Sequence, residues 1–143
     1  MNYTEEIIHN NKVIALIIYK TYKQEGVKFL SPKEYLLQLG YMKHPEGYQV
    51  APHTHNAIQR NTIGTQELFF VQSGEIRIDF YSQEHFFLES RKLSAGDIVL
   101  LVSGGHGLQV IKEAVIFEVK NGPYVDGADK GRFEASEGKH DTC

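Results

Sequence analysis

The stretch "EIRIDFY", residues 75–81, sets apolar Ile76, Ile78 and Phe80 in strict alternation with Arg77, Asp79 and Tyr81. Side chains of an extended chain point alternately to opposite faces, so this period of two predicts a β-strand with one buried face. Working outward, turn signals recur: "HPEG" at 44–47, "NTIGT" at 61–65, "SGE" at 73–75, "SQE" at 82–84, "SAGD" at 94–97, "SGGHG" at 103–107 and "KEA" at 112–114. Between them lie short segments rich in β-branched and aromatic residues, "ELFFVQ", "HFFLESRKL", "DIVLLV", "LQVI" and "VIFEVK". Many short strands punctuated in this way predict an all-β sandwich or barrel.

Upstream, Val13–Tyr19 contains the longest apolar run, "VIALII", and reads as a strand at an edge or across a subunit contact. Gly40 and the residues after it favour a further strand from about Tyr35 to Met42. Beyond Lys120 the chain turns rich in Gly, Asp, Lys and Glu. Pro123–Phe133 is expected to pack in part on the body, and Ala135–Cys143 to fray. The 143 residues fit a single domain with its barrel at about 35–120 and a tail at 121–143.

Composition narrows the function classes. A formal charge of −3 and no clustered stripe of Lys and Arg argue against a nucleic-acid partner. No apolar run approaches the length of a membrane span, and the acidic start "MNYTEEIIHNNK" is unlike a signal peptide. The single cysteine, Cys143, excludes an internal disulfide and suits a cytoplasmic location.

Seven histidines are present, and two of them, His53 and His55, are one residue apart in "PHTH". In an extended segment both imidazoles project from one face, about 7 Å apart, and can converge on one ion. Gly47 precedes the pair by five residues, Glu67 is followed after six residues by Gly74, and Gly96-Asp97 lies upstream of His106.

In this order the residues resemble the two motifs of the cupin superfamily over roughly residues 40–120. The resemblance implies a jelly-roll barrel, the cupin-type double-stranded β-helix, with one divalent metal ion (Zn, Mn, Fe, Co or Ni) held by His53, His55, Glu67 and His106. It also implies a hairpin at Gly74 and a turn at Gly96-Asp97. Two departures are visible. The inserted loop "NAIQRNTIGTQ" separates His55 from Glu67, and "VSGGHG" lacks the family's proline turn before His106. Because Gln66 adjoins Glu67, a shift of one residue would exchange which of the two points inward.

Cupins include isomerases, epimerases, dioxygenases, decarboxylases and non-catalytic binders. The runs "TQELFFVQSGEIRIDFY", "GDIVLLVSGGHGLQV" and "EVKNGPYVDGADKGRF" are similar to small cupins described as mannose-6-phosphate isomerase-like or linked to cell-surface sugar biosynthesis. That likeness implies a sugar or sugar phosphate as ligand and aldose–ketose isomerisation as the reaction. The alternatives are an Fe(II) dioxygenase, an epimerase using an acid/base pair without metal, and a carbohydrate- or sugar-nucleotide-binding module. Tyr41, Tyr48, Arg60 and Arg77 are the candidate substrate contacts. Glu118 and Lys120 alternate with Phe117 and Val119, so one of these sets faces inward. Exposed strand edges and the apolar Val13–Tyr19 segment predict a homodimer paired through that segment.

Overall fold

The structure, a computed structural model, describes residues 3–134. Eight β-strands and no helix occur among them: β1 (Thr4–His9), β2 (Lys12–Ile18), β3 (Gly26–Phe29), β4 (Gly40–Lys43), β5 (Glu67–Tyr81), β6 (Phe87–Ser94), β7 (Ile98–Leu101) and β8 (Gly105–Lys120). One antiparallel sheet runs β1-β2-β7-β5-β6, with β8 along the other edge of β5, and β3 pairs with β4 separately. The sheet curls strongly into a half-barrel.

β1 and β2 are joined by Asn10-Asn11, both at positive φ, so that His9 sits opposite Lys12. Asparagine tolerates this region better than other side chains, and a two-residue turn of this hand matches the twist of the strands it joins. Val13–Tyr19 is a strand as expected, but not at an edge: β2 is paired on both sides, by β1 and by β7. Its continuous apolar run reports burial on both faces. Ile14, Ala15 and Ile17 enter the main core, while Leu16 and Ile18 join a second cluster with Leu100. The sheet therefore draws in residues upstream of the expected barrel limits.

That second cluster is covered by Tyr22, Leu30, Tyr35, Leu37 and Leu39. Here the expected strand from Tyr35 is corrected, since pairing begins only at Gly40. The segment before it is a compact turn, in which the Ser31 hydroxyl donates to the Leu37 carbonyl and accepts from the Leu39 N–H. A side chain that satisfies both backbone groups replaces the ladder bonds a strand would need.

β5 is the spine. Glu67, Phe69 and Val71 face the concave side in its first half, and Ile76, Ile78 and Phe80 in its second, so the inward parity changes between Val71 and Ile76. Register shifts relative to β8 occur at this point. A β-bulge there supplies the odd residue that lets one long strand keep its apolar side inward through a sharp bend. Gly74 sits at φ +83°, and a Cβ on it would overlap the Glu113 carbonyl oxygen and lie 2.7 Å from Ala114 Cα. "SGE" and "KEA", expected as turns, are thus the two sides of one bulge, and Gly74 bends β5 instead of closing a hairpin.

The turn at Gly96-Asp97 is present between β6 and β7. The Asp97 carboxylate accepts from the backbone N–H groups of Lys20 (2.9 Å) and Ser94 (2.8 Å). The Asp97 carbonyl accepts from the Val71 N–H at the bulge. Phe133 packs against Tyr81 and His85, which places part of the tail on the body as expected. Ala135–Cys143 lies outside the described residues.

Candidate functional site

The bend in β5 and β8 determines where the chemistry gathers. Glu67 opens β5 opposite Lys120, whereas His106 sits near the start of β8 opposite Phe80. Along a straight strand, Glu67 and Phe80 would be roughly 44 Å apart at about 3.4 Å per residue. The curl brings the two ends of the ladder together, and Glu67 Oε2 lies 3.2 Å from His106 Nε2.

Glu67 is buried, and its second oxygen, Oε1, lies 3.1 Å from Lys120 Nζ. The His106 hydrogen bond, helped by Lys120 and opposed by burial, holds the carboxyl down at about 2. Glu67 also raises the Lys120 ammonium above its ordinary range. Lys120 further approaches Asp129 Oδ2 and Glu118 Oε1, each at 3.5 Å. Glu118 and Lys120 are therefore the set that shares a face with Glu67 and Phe69. The edge of the His106 imidazole meets Phe69, with ring centroids 6.1 Å apart.

Glu67 and His106 border an open cleft of about 1130 Å³ whose far wall comes from the tail, with Pro123, Val125, Asp129, Lys130, Arg132 and Phe133. The tail is tied to the start of β5 by side-chain bonds. Thr65 Oγ1 donates to Asp129 Oδ1 (2.8 Å), and Asn121 accepts from the Gln66 N–H (2.7 Å) while donating to the Gly64 carbonyl (3.0 Å). Phe133 stacks on His85 at 4.0 Å between centroids, and His85 occupies a positive-φ turn position before β6. Gln66, the neighbour that could have exchanged places with Glu67, accepts from the Leu37 N–H instead.

The histidine pair lies elsewhere. His53 and His55 meet edge to face at 5.3 Å, within an unbroken exposed segment that carries the chain from β4 towards β5. His53 Nδ1 is 3.0 Å from the Ala51 carbonyl oxygen. Of the four residues expected around one ion, a single chain thus joins Glu67 with His106 and His53 with His55, as two separate pairs. Among the described residues of one chain, no group of three or more His, Cys, Asp or Glu converges.

The expected substrate contacts do not border the cleft. Tyr41 meets Tyr22 edge-on, Tyr48 stacks on His44, and Arg60 is exposed in the same segment as the histidine pair. Arg77 forms a two-point pair with Asp79. Asp129, Thr65 and Phe133 are the cleft residues that sequence reasoning missed. For Asp129 and Phe133 the only signal is the tail's composition, which says nothing of the side chains they meet, and Thr65 stands in the inserted loop with no signal of its own. No helix among the described residues is long and apolar enough to cross a membrane.

Comparison of the chain with family models, with curated proteins and with solved structures gave no match.

Proposed function

We propose that the protein is a cupin-type jelly roll that binds a sugar or sugar phosphate in this cleft and isomerises it between aldose and ketose forms with one divalent metal ion. The observation that carries this reading is the Glu67–His106 contact, a carboxylate and an imidazole from opposite ends of a long ladder meeting at an open cleft. The donor chemistry fits a borderline divalent ion. Glu67 supplies a carboxylate that stays ionised through the physiological range and His106 an imidazole, while His53 and His55, a separate pair in the exposed segment, would have to swing to the cleft to complete the ligand set. A divalent ion bound by these groups supplies polarisation of a sugar carbonyl and its neighbouring hydroxyl. Lys130 and Arg132 give the cleft cationic groups suited to a phosphorylated sugar.

A second reading draws on the same contact. With Glu67 ionised, the bond to His106 requires a proton on Nε2, so Nδ1 of the neutral ring carries the lone pair that can accept a proton. Glu67 would fix the tautomer and His106 would move the proton, an acid/base epimerisation that uses no metal.

Metal content of protein purified without a histidine tag separates the two. The metal reading predicts one equivalent per chain, lost in both His53→Ala and His106→Ala. Undiminished metal in both variants rejects these ligands. A metal-free parent that epimerises a sugar, and loses that activity in His106→Ala, establishes the second reading. Thermal shift against a panel of sugar phosphates identifies the ligand, and a shift without turnover marks a binding module instead.

A further inference from the structure

The far wall of the cleft is a strap that few contacts hold. From Gly122 to Phe133 every residue is exposed except Asp129 and Phe133, which are half-buried. These two are its pins. Asp129 accepts from the Thr65 hydroxyl and lies near Lys120, while Phe133 stacks on His85 and meets Tyr81 edge-on, with centroids 5.1 Å apart. Gly122 and Gly127 hold positive φ, and a Cβ on either would meet nothing within 4 Å. Packing does not require glycine at these positions, so their use is backbone freedom at two points along the strap.

Gly105 is the opposite case. Its backbone is not left-handed, but a Cβ there would lie 2.9 Å from the Phe133 ring and 3.3 Å from Tyr81 Cβ. The second glycine of "SGGHG" is thus a notch that seats the ring, one residue before His106. With Phe133 seated, Lys130 and Arg132 line the cleft. Among the described residues neither cation is paired with a carboxylate. Lys130 lies over the Tyr124 ring, whereas Glu67 and Asp129, the carboxylates that border the cleft, share Lys120. The positive charge that the strap brings is therefore free for a ligand, and a Lys–Arg pair suits a phosphate or another oxyanion.

We infer that residues 122–133 are a lid: it swings open on its glycines to admit ligand and closes when an oxyanion of that ligand engages Lys130 and Arg132, with Phe133 as the latch and Gly105 as its keeper. A segment held by two pins opens at far less cost than the sheet beneath it unfolds. Closure over a bound ligand keeps water from the Glu67–His106 pair, the role that such lids serve. The inference rests on the reading of this cleft as the ligand site, and it needs neither the metal nor the isomerisation.

Chymotrypsin tests it at Tyr124, an exposed strap residue, with cutting at Tyr48 in the exposed segment 44–65 as the reference. When opening is fast, the cutting rate reports the open population, and mass spectrometry of the fragments follows both sites. Inorganic phosphate, compared with sodium chloride at equal ionic strength, is expected to slow the cut after Tyr124 and to leave that after Tyr48 unchanged. Without phosphate, Phe133→Ala and Gly105→Ala should each speed the Tyr124 cut about fivefold, the weight of one aromatic contact. Gly105→Ala unseats the ring while the strap keeps its own sequence. Lys130→Gln/Arg132→Gln should lose the protection by phosphate. A Tyr124 rate indifferent to both Phe133→Ala and Gly105→Ala overturns the lid, and so does phosphate protection that persists in the double charge variant. A parent that isomerises a sugar phosphate yet shows no protection overturns the lid alone. Protection in a parent that turns over no sugar supports the lid and removes only the isomerase.

Discussion

Glu67 and His106 touch across the two ends of a single β-ladder, with Oε2 and Nε2 3.2 Å apart although the register places His106 opposite Phe80. The contact exists because β5 and β8 bend together at the Gly74 bulge. Curvature built at the middle of the ladder sets the geometry of the cleft at its ends.

Glu67 makes stability depend on acidity in a defined window. Its folded carboxyl titrates at about 2, below the ordinary 4.5, so the folded state binds fewer protons than the unfolded state between these values. The contribution is complete above about 4.5 and fades as the pH falls towards 2. Glu67→Gln is expected to cost about 2 kcal/mol at pH 7, and urea denaturation from pH 7 down to pH 2 should show the gap to the parent closing below 4.5. A gap that stays constant over that range would remove the ionised Glu67 from the account.

Gly74 and Gly47 provide a matched pair. Both adopt positive φ, but a Cβ at Gly74 meets the backbone of Glu113 and Ala114, whereas nothing lies within 4 Å of one at Gly47. Gly47→Ala should therefore cost only the left-handed backbone term, about 1 kcal/mol. Gly74→Ala adds a clash with main chain that cannot swing aside, and is expected to lose about 3 kcal/mol or more. Equal midpoints for the two variants in urea would argue against the bulge.

Tyr19, just after β2, packs against the main core and joins a small polar network. Its hydroxyl donates to Glu5 Oε2 at 2.6 Å, and Glu5 Oε1 accepts from Arg91 Nε and Nη2. Burial, and then the Glu5 carboxylate, push the phenol up to about 12. A folded value above the unfolded 10 means the folded state holds its proton longer, so this stabilisation is intact below pH 10 and is lost as the pH rises through 12. Ultraviolet titration of Glu5→Gln should find Tyr19 ionising at lower pH than in the parent, yet still above 10 because burial remains. An unchanged titration would show that Glu5 does not govern it.

Much of the fold was legible because the alternation of Ile76, Ile78 and Phe80 is a local signal of one buried face. The edge position expected for Val13–Tyr19 failed because an all-apolar strand reports two covered faces, and covered faces occur in the middle of a sheet. Gly74 was misread because a left-handed glycine serves a bulge as well as a hairpin. Which use applies depends on a partner strand some forty residues further along. For the same reason the motif residues were visible one at a time, while the Glu67–Lys120–Asp129 arrangement was not. Lys120 is selected by its register against β5, and Asp129 by how the tail folds back.

The Asp97 turn has a kinetic consequence. One aspartate takes the N–H of Lys20 beyond β2 and of Ser94 at the end of β6, while its own carbonyl receives the N–H of Val71 in β5. These partners are far apart along the chain, so the knot cannot tighten until strands from both halves of the polypeptide have met. Closure of such long loops precedes the contacts that reward it, which is the hallmark of slow folding in β-topologies. Asp97→Ala should then speed unfolding far more than it retards refolding, since the knot is among the last contacts to form.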